Sequence, residues 1–400
     1  MKITGIVAEY NPFHNGHAYQ IKKAREVTGC DYCIAVISGD FVQRGEVAVF
    51  SKYLRTKMAL LCGADLVLEI PSIFAVSSAE DFAAGAVALL DQLGVVTHLC
   101  FGSEMGESER FMETAAILAD EPDSFSTKLK EGLSEGLSWP QARVRALEAE
   151  GISDLGNFLE TPNNLLGVEY CKAIARQAAA LMPLALPRRG VGHDGGTAEG
   201  FASASHIREL LINGACADEF LTPESAAICA RERAAGRAPV TMANAERAIL
   251  ARLRAMREED FAPFDGGGEG LYHRFYDAVQ RETTIEDILA AAKSKRYAYA
   301  RLRRLLLAAY LGVTPEDIPQ RVPYLRVLAC NSRGREVLRC MKTTAAAPVL
   351  TRSADVRRLD AGAQRLFALT ARAEEQYTLA YPSLAAAKPG SAWTTTPVIL

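Results

Sequence analysis

Two histidines separated by two residues lie near the start of this 400-residue chain, at His14 and His17, with Gly16 between them. An apolar run from residue 3 to residue 8 precedes them, and a segment with helical spacing follows them. Asn11-Pro12 separates the two, because proline fixes its own φ and disfavours helix in the residue before it. The pattern predicts a strand, a turn and a helix, with both imidazoles at the start of the helix.

Imidazoles in this position suit phosphate chemistry. The first turn of a helix has unpaired N–H groups and a partial positive charge, and a glycine lets the backbone approach a bulky anion closely. Two imidazoles beside it can donate hydrogen bonds to phosphoryl oxygens as charge develops in a transition state. The alternatives are surface histidines on an ordinary turn, or zinc, which needs three or four ligands where no third histidine or cysteine is near. We predict a phosphate site and no metal site.

The elements around the histidines alternate between strand and helix through the first hundred residues. This βαβ rhythm predicts a parallel, doubly wound sheet, in which ligands bind at the carboxyl ends of the strands. The histidines follow the first strand and therefore lie at that edge. The predicted strands are 3–8, 32–38, 65–70 and 97–101, and the predicted helices are 51–62 and 79–93.

The segment His14-Asn15-Gly16-His17 resembles the His-x-Gly-His motif of the nucleotidyltransferase superfamily, which also contains the class I aminoacyl-tRNA synthetases. The string from Gly5 to His17 resembles one branch, the tRNA(Met) cytidine acetate ligases, and this resemblance runs along most of the chain. It implies a Rossmann-like α/β fold with ATP bound along the first strand, turn and helix. The ATP-contacting residues that it implies are Val7, Ala8, Glu9, Tyr10, Asn11, Pro12, Phe13, His14, Asn15, Gly16, His17, Ala18, Tyr19 and Gln20.

Three later positions match ATP-contacting residues of the same family. Gly102 ends the fourth predicted strand, where the family has a glycine against the nucleotide; an ordinary turn is the alternative. Asn163 matches an asparagine of the ATP site, with Asn164 as second choice and a helix cap as the structural alternative. Arg188 follows a short predicted strand, where an arginine suits phosphate clamping, and Arg189 is the weaker candidate.

A second superfamily signature, Ser-Ser-Thr-x-x-Arg, resembles the segment from Ser203 to Arg208, with Ser205 where threonine is usual. Hydroxyl and N–H groups at this helix start would hold the β- and γ-phosphates, and Arg208 would neutralise the leaving pyrophosphate. A plain serine cap with a surface arginine is the alternative. We assign the catalytic roles to His14, His17, Ser205 and Arg208.

The loop from 38 to 46 resembles the family sequence Gly-x-Phe-Val-Gln-Arg-Gly-Glu, and it follows the second predicted strand. Asp40 stands where asparagine is expected, so its role stays open. The alternative is a polar turn with Arg44 and Glu46 in solvent.

Helical periodicity dominates after residue 214, with predicted helices at 244–257, 284–292 and 297–310. We therefore predict a nucleotidyltransferase-like catalytic domain over 1–215 and a mainly helical tRNA-binding domain over 216–400. A basic run lies in the second part, and we assign RNA binding to Lys293, Lys295, Arg296, Arg301, Arg303 and Arg304. Further basic residues follow at Arg321, Arg326, Arg333, Arg335, Arg339 and Lys342.

On a chain of net charge -3, this basic run predicts a concentrated positive surface for RNA phosphates. Tyr297 and Tyr299 could stack on bases, although we expect one of them in the core. A solvated helix face is the alternative. The segment also resembles the Lys-Ser-Lys-Arg-Tyr region of the acetate ligases.

The composition is that of a folded protein, with 49% hydrophobic and 23% charged residues. Nine scattered cysteines with a single Cys30-x-x-Cys33 pair favour a reducing compartment over a zinc site. The first residues do not form a signal peptide and no apolar run reaches 18 residues, so we expect a cytoplasmic protein without a membrane partner.

The resemblance implies an ATP-dependent ligase that activates acetate as acetyl-adenylate and transfers the acetyl group to N4 of the wobble cytidine of elongator tRNA(Met). ATP is the expected substrate, and Mg²⁺ is expected to share the charge of the triphosphate. One alternative is a metabolite adenylyltransferase or cytidylyltransferase, against which the basic run counts. The other is a non-catalytic ATP-sensing RNA-binding protein, against which the histidine pair and Arg208 count. The acetate pocket and the oligomeric state are not predicted.

Overall fold

The protein is described by a computed structural model that covers residues 1–152, 158–159, 161–188, 200–265, 270–294 and 297–400. Its strands are β1 Ile3–Ala8, β2 Tyr32–Ser38, β3 Phe41–Val42, β4 Glu46–Val47, β5 Leu66–Ile70, β6 His98–Ser103, β7 Met182–Pro187, β8 Leu325–Cys330, β9 Val349–Leu350 and β10 Val398–Ile399.

The helices alternate with these strands in the first half and dominate the second. They are α1 Asn15–Thr28, α2 Lys52–Leu61, α3 Ser72–Ala75, α4 Ala79–Gln92, α5 Ser108–Asp120, α6 Asp123–Ser134, α7 Trp139–Ala149, α8 Pro162–Gln177, α9 Ala204–Ile212, α10 Pro223–Ala234, α11 Met242–Arg254, α12 Leu271–Arg281, α13 Ile285–Ala292, α14 Tyr299–Leu311, α15 Ser332–Thr344, α16 Ala361–Thr378 and α17 Ser391–Thr394. Short 3-10 helices span Asp218–Phe220, Glu258–Phe264, Pro315–Asp317, Ser353–Arg358 and Leu384–Ala386.

Five parallel strands form the centre of the main sheet, in the order β5-β2-β1-β6-β7. Residues Cys33 to Ser38 of β2 are all buried, because helices cover both faces of the sheet. The chain goes from β1 outward to β2 on one side and returns to β6 on the other. This reversal creates a crevice at the carboxyl ends of β1 and β6. The predicted Rossmann-like α/β fold is confirmed, and β1 and β2 have the predicted bounds.

Strands from the C-terminal half extend this sheet at its β5 edge. β8 pairs antiparallel with β5, and β9 and β10 each pair parallel with β8. These three strands are not among the predicted ones, because a six-residue apolar run and two dipeptides do not stand out among helices. The domain boundary after residue 215 stays a prediction, but the central sheet is built from both sides of it.

The described part of the chain contains no helix that is both long and apolar enough to cross a membrane. All nine cysteines are free, and Cys33 is buried in β2.

Candidate active site

The start of α1 holds both histidines through its own backbone. His14 is the N-cap, and its Nδ1 accepts a hydrogen bond from the N–H of Gly16 at 3.0 Å. The Nδ1 of His17 accepts from the N–H of His14 at 3.3 Å, and the two ring centroids lie 3.8 Å apart. A Cβ atom at residue 16 would lie 2.8 Å from Cε1 of His14. The glycine is therefore required by the capping ring as well as suited to a close-lying anion.

These hydrogen bonds determine the protonation of the pair. Because each Nδ1 accepts from a backbone N–H, each ring is neutral and carries its proton on Nε2. Burial lowers the pKa of His14 to about 3, with a further contribution from the charges of Arg188 and Arg208. Burial, His14 and Arg188 lower the pKa of His17 well below its usual value. No described residue accepts a hydrogen bond from either Nε2, so two donors are left for a ligand.

The residues between β1 and α1 are mostly buried, and two of their aromatic rings pack against His17. Tyr10 and Phe13 are fully buried, and both of their rings lie against His17 at 4.9 and 5.5 Å. Tyr10 has φ 48, a conformation that non-glycine residues adopt at a cost of about 1–3 kcal/mol. Asn11 is also buried, and its Oδ1 accepts from the N–H of Val49 at 2.9 Å. Tyr10 and Phe13 thus lie buried against the histidine pair, and their place in the predicted set of ATP-contacting residues stays a prediction.

Other residues of the predicted Val7–Gln20 contact set make hydrogen bonds that hold the protein itself together. The Nδ2 of Asn15 donates to the carbonyls of Gly200 and Glu219 at 2.9 and 3.1 Å, which ties α1 to the segments around α9. The carboxylate of Glu9 accepts from the N–H of Gln43 at 3.0 Å. The remaining members border the crevice or lie beside it. They are Val7 and Ala8 at the end of β1, Pro12 in the turn, and Ala18, Tyr19 and Gln20 in α1.

Gly102 and Arg188 lie next to each other at the carboxyl ends of β6 and β7. A Cβ atom at residue 102 would lie 3.5 Å from Cγ of Arg188 and 3.9 Å from Nε2 of Gln20. These are ordinary van der Waals distances, so packing of the protein itself does not require glycine at this position. The side chain of Arg188 is 38% exposed, and its Nη1 lies 3.7 Å from Oε1 of Glu104.

The two candidate asparagines have different roles. Asn163 lies in the first turn of α8, and its Nδ2 donates to Oε1 of Glu104 at 2.6 Å. Asn164 is buried, and its Oδ1 accepts from the hydroxyl of Ser103 and the N–H of Glu104. Neither is the N-cap, which is Thr161. Asn163 is thus linked to Arg188 through one carboxylate, whereas Asn164 holds the end of β6 in place. Arg189 lies outside the described residues.

The second predicted signature, at the start of α9, contacts the turn that precedes the first. Ser203 is the N-cap and accepts from the N–H of His206, so the capping serine precedes the predicted Ser205. Arg208 donates to the carbonyl of Asn11 at 3.1 Å and to the hydroxyl of Ser205 at 3.2 Å. The structure therefore brings Ser205 and Arg208 to the turn that holds the histidine pair, although nearly two hundred residues separate the motifs.

Arg303 extends this cluster from the basic helix α14. Its Nη1 donates to Oε1 of Glu46 at 2.7 Å, and Oε2 of Glu46 lies 3.8 Å from Nη2 of Arg208. A side chain at Gly45 would overlap the backbone of Arg303. The sequence predicted Arg303 on a separate RNA-binding surface, with Glu46 in solvent as one alternative. In the structure α14 packs on the β3–β4 hairpin beside α9, so Arg303 and Glu46 form an ion pair at the candidate site. RNA binding by Arg303 stays a prediction.

The other predicted RNA-binding residues that the structure describes make contacts within the protein or are partly buried. Lys293 donates to the carbonyls of Ser294 and Tyr297, both at 2.7 Å. Arg301 donates to the carbonyl of Asp265 at 3.0 Å, and burial lowers the pKa of Arg304. Lys295 and Arg296 lie outside the described residues.

One of the two tyrosines of this segment is in the core and the other is exposed, as expected. Tyr297 is 7% exposed and belongs to the core, whereas Tyr299 is 39% exposed. Only Tyr299 presents a ring that a base could reach.

The basic residues after α14 do not share one surface with it. Arg326 is buried and pairs with Glu69 at 2.9 Å, so it is not the RNA contact that the sequence suggested. Arg333 lies 3.2 Å from Asp65, which immediately precedes β5. The helix α15 that carries Arg333, Arg335, Arg339 and Lys342 therefore begins at the amino edge of the parallel strands, opposite the histidines.

Two buried residues lie beside the site. Arg55 was not predicted from the sequence, and Asp40 had no predicted role. Arg55 of α2 is fully buried and donates to the backbone carbonyls of Glu9, Ser38, Gly39 and Phe50, which joins the ends of β1 and β2. Asp40 accepts from the N–H of Lys52 at 2.7 Å and so holds the start of α2. Burial raises the pKa of Asp40 to about 6, against the opposing charge of Lys52. No sequence signal distinguishes a buried arginine from a surface one on an amphipathic helix.

Comparison with known proteins gives consistent results over the whole chain. The family model described as HIGH Nucleotidyl Transferase matches residues 1–391. A tRNA(Met) cytidine acetate ligase of Acetivibrio thermocellus is 35% identical, with 100% of both chains covered. Another, of Caldicellulosiruptor saccharolyticus, is 42% identical over 86% of this chain and 85% of its own length. The crystal structure of Thermotoga maritima TmcAL bound with alpha-thio ATP has a TM-score of 0.93 at 34% identity, with all of both chains covered.

Proposed function

Because the chain belongs to the HIGH nucleotidyltransferase family, and within it to the tRNA(Met) cytidine acetate ligases, we propose that it is an ATP-dependent ligase that acetylates tRNA. In this proposal the enzyme first converts acetate and ATP to acetyl-adenylate and pyrophosphate. It then transfers the acetyl group to N4 of the wobble cytidine of elongator tRNA(Met). The names of the curated relatives and the ATP analogue in the T. maritima structure support this assignment.

The observation that carries the proposal is the neutral histidine pair at the start of α1, with Arg188 and Arg208 beside it. In the first step a carboxylate oxygen of acetate attacks the α-phosphorus, and the bond to the bridging oxygen of the β-phosphate breaks. Negative charge then accumulates on the phosphoryl oxygens and the leaving pyrophosphate. Two preorganised Nε2–H donors and two guanidinium groups oppose that charge without rearrangement.

The remaining predicted contacts complete the ATP site. The nucleotide lies against Gly102 in this proposal, and Asn163 and Arg188 share the carboxylate of Glu104 beside it. Ser205 orients Arg208. We include Mg²⁺ in the proposal as the ion that accompanies the triphosphate, because Mg²⁺ is commonly held by substrate phosphates and water. We also propose that the enzyme works in the cytoplasm, where its RNA substrate is.

In the second step the N4 amine attacks the acetyl carbonyl carbon, AMP leaves with the electron pair of the broken bond, and N4 loses one proton. The partly exposed basic residues of α14, together with Tyr299, are the proposed path for the RNA to the adenylate.

Two measurements test this function together. ATP–pyrophosphate exchange should require acetate, and mass spectrometry should find acetylcytidine in tRNA(Met) incubated with the protein, ATP and acetate. Exchange that requires a phosphorylated metabolite in place of acetate would indicate a metabolite nucleotidyltransferase. ATP binding without exchange under any condition would indicate a sensor.

A further inference from the structure

A cavity of about 250 Å³ adjoins Arg208 on the side of the basic helix. It lies between α9, the β3–β4 hairpin, α11, α13 and α14. Its walls are largely apolar, and the side chains that a ring would contact are Val47, Val240, Met242, Leu289 and Leu306. None of the predicted ATP-binding residues lines it. It is therefore a separate compartment that shares Arg208 with the phosphate site.

The polar groups of this cavity converge on one carboxylate. Glu46 lies between Arg303 at 2.7 Å and Arg208 at 3.8 Å, and all three residues line the cavity. A carboxylate has about four acceptor positions. The hydrogen bond from Arg303 uses one of them, and the distance to Arg208 is too long for a second. Glu46 thus has acceptor capacity left, on a side chain that two cations hold in place.

We propose that this cavity receives the acceptor cytosine of the RNA and that Glu46 accepts a hydrogen bond from its exocyclic amine. The inference rests on the proposed function and adds the site and the residue that select the base. An apolar cavity of about 150 Å³ is large enough to hold benzene, so a cavity of about 250 Å³ accommodates a single pyrimidine ring. Enzymes that modify bases read a base taken out of its stack through its hydrogen-bonding edge, while apolar side chains contact its faces.

The location of the cavity matches what acetyl transfer requires. Arg208 donates to the carbonyl of Asn11 in the turn before His14, and it also lines the cavity. A base in the cavity therefore lies next to the site where the adenylate forms. Arg303 comes from the basic helix, so RNA bound along α14 delivers a nucleotide at the cavity. Bases of single-stranded loops can be splayed out in this way.

The carboxylate of Glu46 would also favour cytosine over uracil in the cavity. Glutamate accepts from N4 of cytosine, which is a donor, but uracil presents an oxygen acceptor at the same position. Two acceptors repel each other, so Glu46 disfavours uracil. A glutamine can present either its N–H or its oxygen, and it should accept both bases.

The test measures the affinity of the full-length protein for two tRNA(Met) transcripts that differ only in cytidine or uridine at the acetylated position. The wild-type protein should prefer cytidine by about tenfold, and Glu46→Gln should reduce that preference to near unity. Ile212→Trp, at the exposed rim of the cavity, should likewise remove the preference, because the indole blocks entry of the base. Leu61→Trp, an equally bulky change at an exposed position of α2, is the matched control and should keep the wild-type preference.

An undiminished preference for cytidine in both Glu46→Gln and Ile212→Trp would overturn the inference. A wild-type protein that does not distinguish the two transcripts would overturn it as well. Acetylation of tRNA by the wild-type protein is measured separately and tests the proposed function. The two proposals can therefore fail independently.

Discussion

His17 combines two roles that different substitutions should separate. Its Nδ1 accepts from the N–H of His14, which is a helix-capping contact, and its Nε2–H is the donor proposed for the triphosphate. Alanine removes both groups. Asparagine carries an acceptor near the position of Nδ1 but has no group at the position of Nε2. We therefore expect His17→Asn to preserve the cap and to lose the catalytic donor.

The magnitudes follow from these contacts. Loss of a capping interaction costs about 0.5–2 kcal/mol of stability, so His17→Ala should be destabilised by about 1 kcal/mol and His17→Asn by less. Loss of one donor to a transition-state oxyanion costs about 10²–10³ in rate. Both variants should therefore lose about 10²–10³ in acetate-dependent ATP–pyrophosphate exchange, while ATP affinity falls much less.

The assay pairs pyrophosphate exchange with thermal unfolding on the same preparations. His17→Gln, whose amide N–H reaches close to the position of Nε2, should recover part of the rate and serves as the matched variant. If His17→Asn exchanges pyrophosphate at a near wild-type rate, the donor role is refuted. If the rate losses of the three variants merely follow their stabilities, the histidine is a structural cap.

Three further predictions concern pH, the nucleotide pocket and the basic helix. Because burial lowers the pKa of His14 to about 3, the unfolded chain binds a proton below pH 6.5 that the folded chain does not. Acidification from about pH 7 to 5 should therefore cost about 2 kcal/mol through this residue, and denaturant unfolding of His14→Asn should show a correspondingly weaker pH dependence. Gly102→Val should weaken ATP binding in calorimetry without weakening tRNA binding in a gel shift. The protein tolerates a side chain there, because the nearest protein atom to its Cβ is 3.5 Å away, so the valine should obstruct only the nucleotide. Loss of tRNA binding in this variant would contradict the placement of residue 102 at the ATP site. Arg303→Glu, which sets two carboxylates against each other at Glu46, should lower both tRNA affinity and pyrophosphate exchange, whereas Arg257→Glu at an exposed position should lower neither; unchanged exchange in Arg303→Glu would show that α14 acts on RNA alone.

The part of the candidate site that the histidine pair forms could be anticipated from local sequence. The apolar runs of β1 and β2, the proline break and the two histidines lie within forty residues, and each signal acts over a few neighbours. The capping contacts between His14, Gly16 and His17 are equally local, since they close within one helical turn. Short-range backbone preferences and side-chain periodicity therefore sufficed for the fold class and for the histidine pair.

The assignment of the basic residues required the tertiary structure. Arg303, Arg326 and Arg333 lie within about thirty residues of one another, and their sequence surroundings look alike. In the fold, Arg303 pairs with Glu46 at the candidate active site, Arg326 is buried against Glu69, and Arg333 lies near Asp65 at the opposite edge of the sheet. The three acidic partners are all more than 250 positions away in the chain.

The sequence by itself determined the strand-turn-helix unit that presents two imidazoles, because its stabilising contacts are between near neighbours. Only the tertiary structure decided what surrounds that unit: Arg208 on the turn before His14, Arg303 on Glu46, and an apolar cavity beside them. The physical reason is that the energy of an ion pair or of a buried surface depends on distance in space and on desolvation. Neither quantity can be read from the spacing of residues along the chain.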